Sequence, residues 1–180
     1  MAEVTILGPA GYLAATPPSP PPEENMLGID DHAPDFEARH QDGRSVRLSE
    51  LRGHHVLVYF YPKDQTRGCT AEACGLRDSL DDLTACGADV LGVSTDSWEA
   101  HSRFQARHDL TFALASDPKR TIAAAYGVGR MLGILPVLTR TSFLVGPDGD
   151  IVEVWPSVNA ERHPSEVLQA VRRRTAATAG

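Results

Sequence analysis

The chain has 180 residues, 42% of them apolar, with 17 Lys or Arg against 24 Asp or Glu and a formal net charge of −7. That length suits one domain of ordinary size, and an acidic balance without a Lys/Arg block gives no long-range attraction for nucleic acid or an anionic membrane. No run approaches the ~20 consecutive apolar residues of a membrane-spanning helix, and three cysteines are too few for a disulfide scaffold.

The N-terminus, MAEVTILGPAGYLAAT, has Glu3 and no Lys or Arg ahead of its weak apolar stretch. The charged start of a secretory signal is missing, so the expected compartment is the cytoplasm. Residues 16–22, TPPSPPP, hold five of the 13 prolines. Proline lacks a backbone donor and fixes φ, so residues 1–26 are expected to form a flexible, extended leader and residues 27–180 the folded domain.

DFEARH and RSVRLS flank Gln41-Asp42-Gly43, the signature of a hairpin. HVLVYFY (55–61) is apolar almost throughout and rich in β-branched and aromatic residues, which predicts a central strand buried on both faces. Ala73, Leu76, Leu80 and Leu83 then recur at helical spacing until Gly87, a left-handed stop. ADVLGVS (88–94) is a second buried strand, and Asp96 is the expected cap of a helix running to about Arg107.

TFALAS (111–116) reads as a short strand, and Asp117-Pro118 as the start of a helix that ends at Gly127. TSFLVG and DIVEVW form a hairpin through Pro147-Asp148-Gly149. A final helix starts at His163-Pro164 and is expected to place Arg172, Arg173 and Arg174 in its last turn. Right-handed crossovers make the 55–61 and 88–94 strands parallel, and the 141–155 hairpin adds antiparallel strands. The expected fold is a three-layer α/β sandwich with a mixed central sheet and flanking helices.

Sites in such folds lie in loops beyond the carboxyl ends of the parallel strands. The loop after 55–61, Tyr61-Pro62-Lys63-Asp64-Gln65-Thr66-Arg67-Gly68-Cys69-Thr70-Ala71-Glu72-Ala73-Cys74, holds two of the three cysteines. A helix starting near Gly68 puts Cys69 in its first turn, where free N–H groups and the positive dipole end favour a thiolate. Gly68 permits close approach of the backbone, Pro62 shapes the loop and limits water, and Thr66 supplies a hydroxyl. On a helix, Cys69 and Cys74 can equally be small buried apolar residues.

Pro62-x-x-x-Thr66-x-x-Cys69 resembles the active-site motif of the peroxiredoxins, and a second cysteine five residues on resembles the bacterioferritin-comigratory-protein or peroxiredoxin Q subfamily. The resemblance runs from Ala33-Pro34-Asp35-Phe36 through VLVYFYPKD, EACGLRD and VLGVSTD to TRTSFLVGPDGDIVEVW and EVLQAV. One departure is Arg67, where the subfamily usually has proline; it adds a cation near the thiol.

The resemblance implies a thioredoxin-like fold and a peroxidase that needs neither metal nor organic cofactor. Cys69 would be the peroxidatic cysteine, attacking hydrogen peroxide or an alkyl hydroperoxide and becoming a sulfenic acid. Thr66 would hydrogen-bond the peroxide and the thiolate, Arg140 would hold the thiolate and the charge on the departing oxygen, and the N–H groups of Gly68 and Cys69 would help bind the peroxide. Cys74 would be the resolving cysteine, forming a Cys69–Cys74 disulfide recycled by thioredoxin or a similar dithiol, in a monomer or weak homodimer.

Five residues of intact helix separate two Cα atoms by about 8–9 Å and turn the side chains about 140° apart. A disulfide needs Cα atoms within roughly 7 Å, so the first turns of this helix are expected to unwind for resolution.

Cys86, beside Gly87 with no motif around it, reads first as structural, with backup resolution or a mixed disulfide as the other reading. Zinc is not expected, because five-residue spacing falls outside the usual Cys-x₂₋₄-Cys pattern and no matching histidine pair follows. Adjacent His54 and His55 point to opposite faces of a strand, and all the histidines read as structural or exposed. Met131 to Leu138 is unusually apolar for a loop, which predicts a buried connection or, more sharply, an apolar collar at the site or a dimer patch. Two other functions are compatible with the fold. A disulfide oxidoreductase would use Cys-x-x-Cys rather than this spacing, and a redox sensor or holdase would be read by a partner protein.

Overall fold

The computed structural model describes residues 26–129 and 137–178. Almost all of the leader, and the apolar stretch except Val137 and Leu138, lie outside the described residues. In chain order the elements are β1 (Glu37–Arg39), β2 (Ser45–Arg47), a 3₁₀ turn (Leu48–Leu51), β3 (His55–Phe60), α1 (Arg67–Asp78), α2 (Leu80–Ala85), β4 (Ala88–Ser94) and α3 (Trp98–His108). They continue with β5 (Ala113–Ser116), α4 (Thr121–Ala125), β6 (Thr141–Val145), β7 (Ile151–Trp155) and α5 (His163–Thr178).

The strands form one sheet in the order β2-β1-β5-β4-β3-β6-β7. β3, β4 and β5 are parallel to one another, and the remaining pairs are antiparallel. This is the mixed-sheet, thioredoxin-like α/β sandwich expected from the sequence. Among the described residues no helix is long and apolar enough to cross a membrane.

The continuous apolar run of β3 follows from burial on both faces. Val56, Val58 and Phe60 join Phe36, Tyr126, Phe143 and Ile151 in one core. Leu57 and Tyr59 join Cys69, Leu76, Leu83, Phe104 and Val171 in the other. Period-two alternation therefore divides one strand between two apolar layers, and no position along it can be polar without cost.

Four local expectations change. The helix over residues 73–87 is two helices, because Ser79 (φ −96°, ψ 0°) ends α1 by donating its N–H to the Arg77 and Gly75 carbonyls, then opens α2. Apolar spacing carries across that break, since Leu80 and Leu83 still face the core. The cap of α3 is Ser97, whose Oγ accepts from Ala100 N–H at 3.3 Å. Asp96 is drawn away to accept from the backbone N–H of Asp64 at 2.8 Å.

α4 begins at Thr121 rather than at Pro118, but Asp117 still serves its start, accepting from Ala123 N–H at 2.8 Å and Thr121 Oγ1 at 3.1 Å. α5 continues to Thr178, so Arg172–Arg174 lie upstream of its last turn. Arg172 and Arg173 pair with Asp82 at 3.1 Å and Glu153 at 3.4 Å instead of the helix dipole.

Gly92, in β4, sits where the sheet face is tightest. A Cβ there would stand 2.6 Å from Leu114 Cδ2 and 2.8 Å from the Tyr59 ring. Both neighbours are fully buried, so Gly92→Ala is expected to cost about 1–3 kcal/mol by overpacking. Urea unfolding should show a lower midpoint at an unchanged slope.

Candidate active site

The site grows from the end of β3. The chain leaves the sheet through buried Tyr61 and Pro62 and turns at Gln65 in the left-handed region (φ 59°). It enters α1 from Thr66, which is extended at the N-cap (φ −76°, ψ 150°). The Thr66 hydroxyl does not cap the helix, and it does not donate to the Cys69 sulfur as the resemblance implied; its one proton goes back to the Lys63 carbonyl at 3.1 Å. The first helical backbone bond runs from Thr70 N–H to the Thr66 carbonyl at 2.8 Å. The N–H groups of Gly68 and Cys69 therefore precede the helical ladder and point out of its positive end.

Cys69 is 2% exposed, with its thiol set into the core beneath α1. Arg140 reaches it because β6 is antiparallel to β3 with Thr141 opposite Phe60, so the residue before β6 arrives where the Pro62–Thr66 loop departs. Its Nη2 donates to Cys69 Sγ at 3.5 Å, and its Nη1 donates to Glu72 Oε2 at 2.5 Å. The guanidinium passes over Gly68, where an added Cβ would lie 3.1 Å from Nη2. A side chain here would push the guanidinium back by a few tenths of an ångström.

Glu72 is fully buried, three residues after Cys69 on the same helical face. Burial pushes its carboxyl up to about 7, against the opposing pull of Arg140. Its other oxygen, Oε1, lies 3.9 Å from Nε2 of His163, itself fully buried at the start of α5. Burial, then the charge of Arg140, push His163 down to about 4. Trp155 closes over that ring edge-on at 5.3 Å. α5 docks tightly here, since a Cβ on Gly75 would meet Pro164 Cγ at 2.6 Å.

The structure thus brings together Cys69, Arg140 and Gly68, with Pro62 and Thr66 on the adjoining loop. Cys74 is half-buried on the same unbroken α1, and all three cysteines are free thiols. Cys86 follows α2, its carbonyl accepting from Thr175 Oγ1 at 3.2 Å. Arg67 is exposed and lines a groove with Gly68, Ala71, Asn159, Ala160 and Glu161. Among the described residues no three His, Cys, Asp or Glu side chains converge as metal ligands.

Sequence reasoning missed Glu72 and His163. The available signal for Glu72 was its place on the stripe formed by Cys69, Ala73 and Leu76, where a solvated charge does not belong. His163, isolated beside a proline, gave no such signal.

The pattern of the AhpC/TSA family matches residues 29–154. Peroxiredoxin Bcp of Escherichia coli (strain K12) is 42% identical over 148 residues, covering 80% of this chain and 95% of the relative. Peroxiredoxin Bcp of Bacillus subtilis (strain 168) is 36% identical over 154 residues, covering 81% and 96%. Among solved structures, peroxidoxin BcpB of Mycobacterium tuberculosis superposes with a TM-score of 0.74 at 34% identity, over 83% of this chain and 98% of that one. The Xanthomonas campestris bacterioferritin comigratory protein, studied for alkyl peroxide reduction in trapped intermediate/ligand complexes, gives 0.72 at 32% identity, over 78% and 92%.

The two buried titrating groups oppose each other in stability. From pH 4.5 to 7 the folded protein keeps a Glu72 proton that the unfolded chain releases, so this group lowers stability as pH rises. From pH 6.5 down to 4 the unfolded chain binds a proton that folded His163 refuses, so this group lowers stability as pH falls. Relative to wild type, Glu72→Gln should gain up to about 3 kcal/mol as pH rises through the first window, and His163→Gln should lose a similar amount as pH rises through the second. Urea unfolding across pH checks both; difference profiles that stay flat would contradict the burial of these groups.

Proposed function

The chain belongs to the AhpC/TSA family, among the Bcp/PrxQ peroxiredoxins, and is a thiol peroxidase; on that premise we propose that Cys69 is its peroxidatic cysteine. The observation that carries this reading is the 3.5 Å contact of the buried Cys69 sulfur with the Arg140 guanidinium at the positive end of α1. A thiolate there has a fixed cation and a helix terminus to face, at a buried position from which water is largely excluded.

The thiolate attacks the terminal peroxide oxygen, S–O forms as O–O breaks, and the departing oxide takes a proton from solvent to become water or alcohol. Thr66, donating to Lys63, keeps its lone pairs for the peroxide O–H. The N–H groups of Gly68 and Cys69 and the Arg140 fork donate to the oxygen on which charge develops. Pro62, buried at the head of the loop, keeps water from the sulfur.

Cys74 resolves the sulfenic acid. Its thiol displaces hydroxide as water and a Cys69–Cys74 disulfide forms, which thioredoxin or a similar dithiol reduces. Hydrogen peroxide and alkyl hydroperoxides are the substrates, and a monomer or weak homodimer in the cytoplasm is the working form. The two cysteines are five residues apart on an intact helix, so the first turns of α1 open for this step.

With thioredoxin, its reductase and peroxide, NADPH consumption should vanish in Cys69→Ser. Cys74→Ser should take up one equivalent of peroxide, gain a single oxygen at Cys69 and stall. Oxidation of the wild type should strip amide-exchange protection from residues 66–76. Turnover surviving in Cys69→Ser would overturn the assignment, and protection unchanged on oxidation would overturn the opening of α1.

A further inference from the structure

We propose that His101, acting through Asp64, is a positioning residue for the hydroxyl of Thr66, and hence for peroxide binding. The inference rests on the reading of Thr66 as a peroxide ligand. It concerns a buried polar cluster on the opposite side of the loop from Arg140.

His101 lies on α3 with its side chain 2% exposed, facing the Asp64 side chain, 4% exposed, in the loop after β3. Nε2 is 3.2 Å from the Ala115 carbonyl, an acceptor only, so Nε2 carries a proton. Nδ1 is 2.8 Å from Asp64 Oδ2, and Asp64 Oδ1 accepts from the Tyr61 hydroxyl at 2.7 Å. The pair therefore holds two protons, one on Nε2 and one between Nδ1 and Oδ2. Every polar atom of both side chains is satisfied, which is the condition under which a buried polar cluster fixes one conformation.

The cluster acts on a single peptide group. The N–H of Asp64 donates to Asp96 Oδ2 at 2.8 Å, and Asp96 is held in turn by Ser94 Oγ at 2.9 Å. The C=O of that same peptide belongs to Lys63 and accepts the Thr66 hydroxyl at 3.1 Å. A peptide unit is a rigid plane whose N–H and C=O point in opposite directions. Holding Asp64 by its carboxylate and its N–H therefore sets the direction of the carbonyl that orients Thr66. The Cys69 thiol draws its cation from Arg140, which hydrogen-bonds none of these groups.

The direction of the Thr66 hydroxyl and the cation at the thiol are thus set by separate networks, so the two can be perturbed apart. In His101→Gln and Asp64→Asn, the second-order rate constant for Cys69 oxidation by hydrogen peroxide should fall by on the order of tenfold, the scale of one misdirected hydrogen bond. Alkylation of Cys69 by iodoacetamide should keep its wild-type rate and pH profile in both. Thr66→Val should lose at least as much peroxide rate, and adding His101→Gln to it should cost nothing further.

A Thr66→Val rate equal to wild type would sink the role of Thr66 itself. A slow Thr66→Val alongside wild-type His101→Gln and Asp64→Asn would sink the positioning role alone. Alkylation that falls in step with peroxide oxidation would also overturn it, since a general loosening of the site moves both. Should His101→Gln fail to fold, Asp64→Asn and Tyr61→Phe, which removes only the phenol donor, decide the question by the same pair of rates.

Discussion

Arg140 holds two acidic side chains on one guanidinium inside a largely dry interior, and most of the site's architecture serves that arrangement. A buried charge without partners is expensive, and removing one member of such a set strands the others. Each constraint on Arg140 is independently built. The β3–β6 register delivers it, the missing side chain of Gly68 leaves room for it, and Glu72 fixes its second nitrogen. Sheet pairing thereby reaches the sulfur through one residue.

Glu72 gives that arrangement an unusual balance. Its carboxyl titrates near neutrality, so its charge is not a constant of the structure, and His163 beyond it stays neutral through the same range. Arg140 therefore faces a carboxyl whose charge varies near neutral pH. The thiol's cation is shared with a group that can release it, which is a property of the cluster rather than of any one residue.

The sheet and the loop motif that holds Cys69 were legible because their signals are local. β3 and β4 show as apolar runs, the two hairpins as turn dipeptides, and Cys69 as part of a spaced motif with Pro62 and Thr66. The polar groups that tertiary contacts redirect were not legible. Asp96 and Ser97 are both good caps, and only the approach of the Asp64 backbone decides which one serves α3. The break at Ser79 hides because Leu80 and Leu83 keep facing the core on either account. His101 and His163 look alike in sequence, yet one has both nitrogens hydrogen-bonded and the other approaches a carboxylate only at 3.9 Å.

The packing of Gly75 against Pro164 bears on kinetics. It fastens α1 to α5 immediately beyond Cys74, while Asp64 is fastened to α3 ahead of Thr66. A segment opening between these points stays tethered at both ends, so its return is the closure of a short loop with its exits already in place. Loops of about ten residues close in roughly 10–100 ns, and short helices re-form in about 0.1–1 μs. In the proposed cycle, re-formation of α1 is therefore too fast to limit turnover.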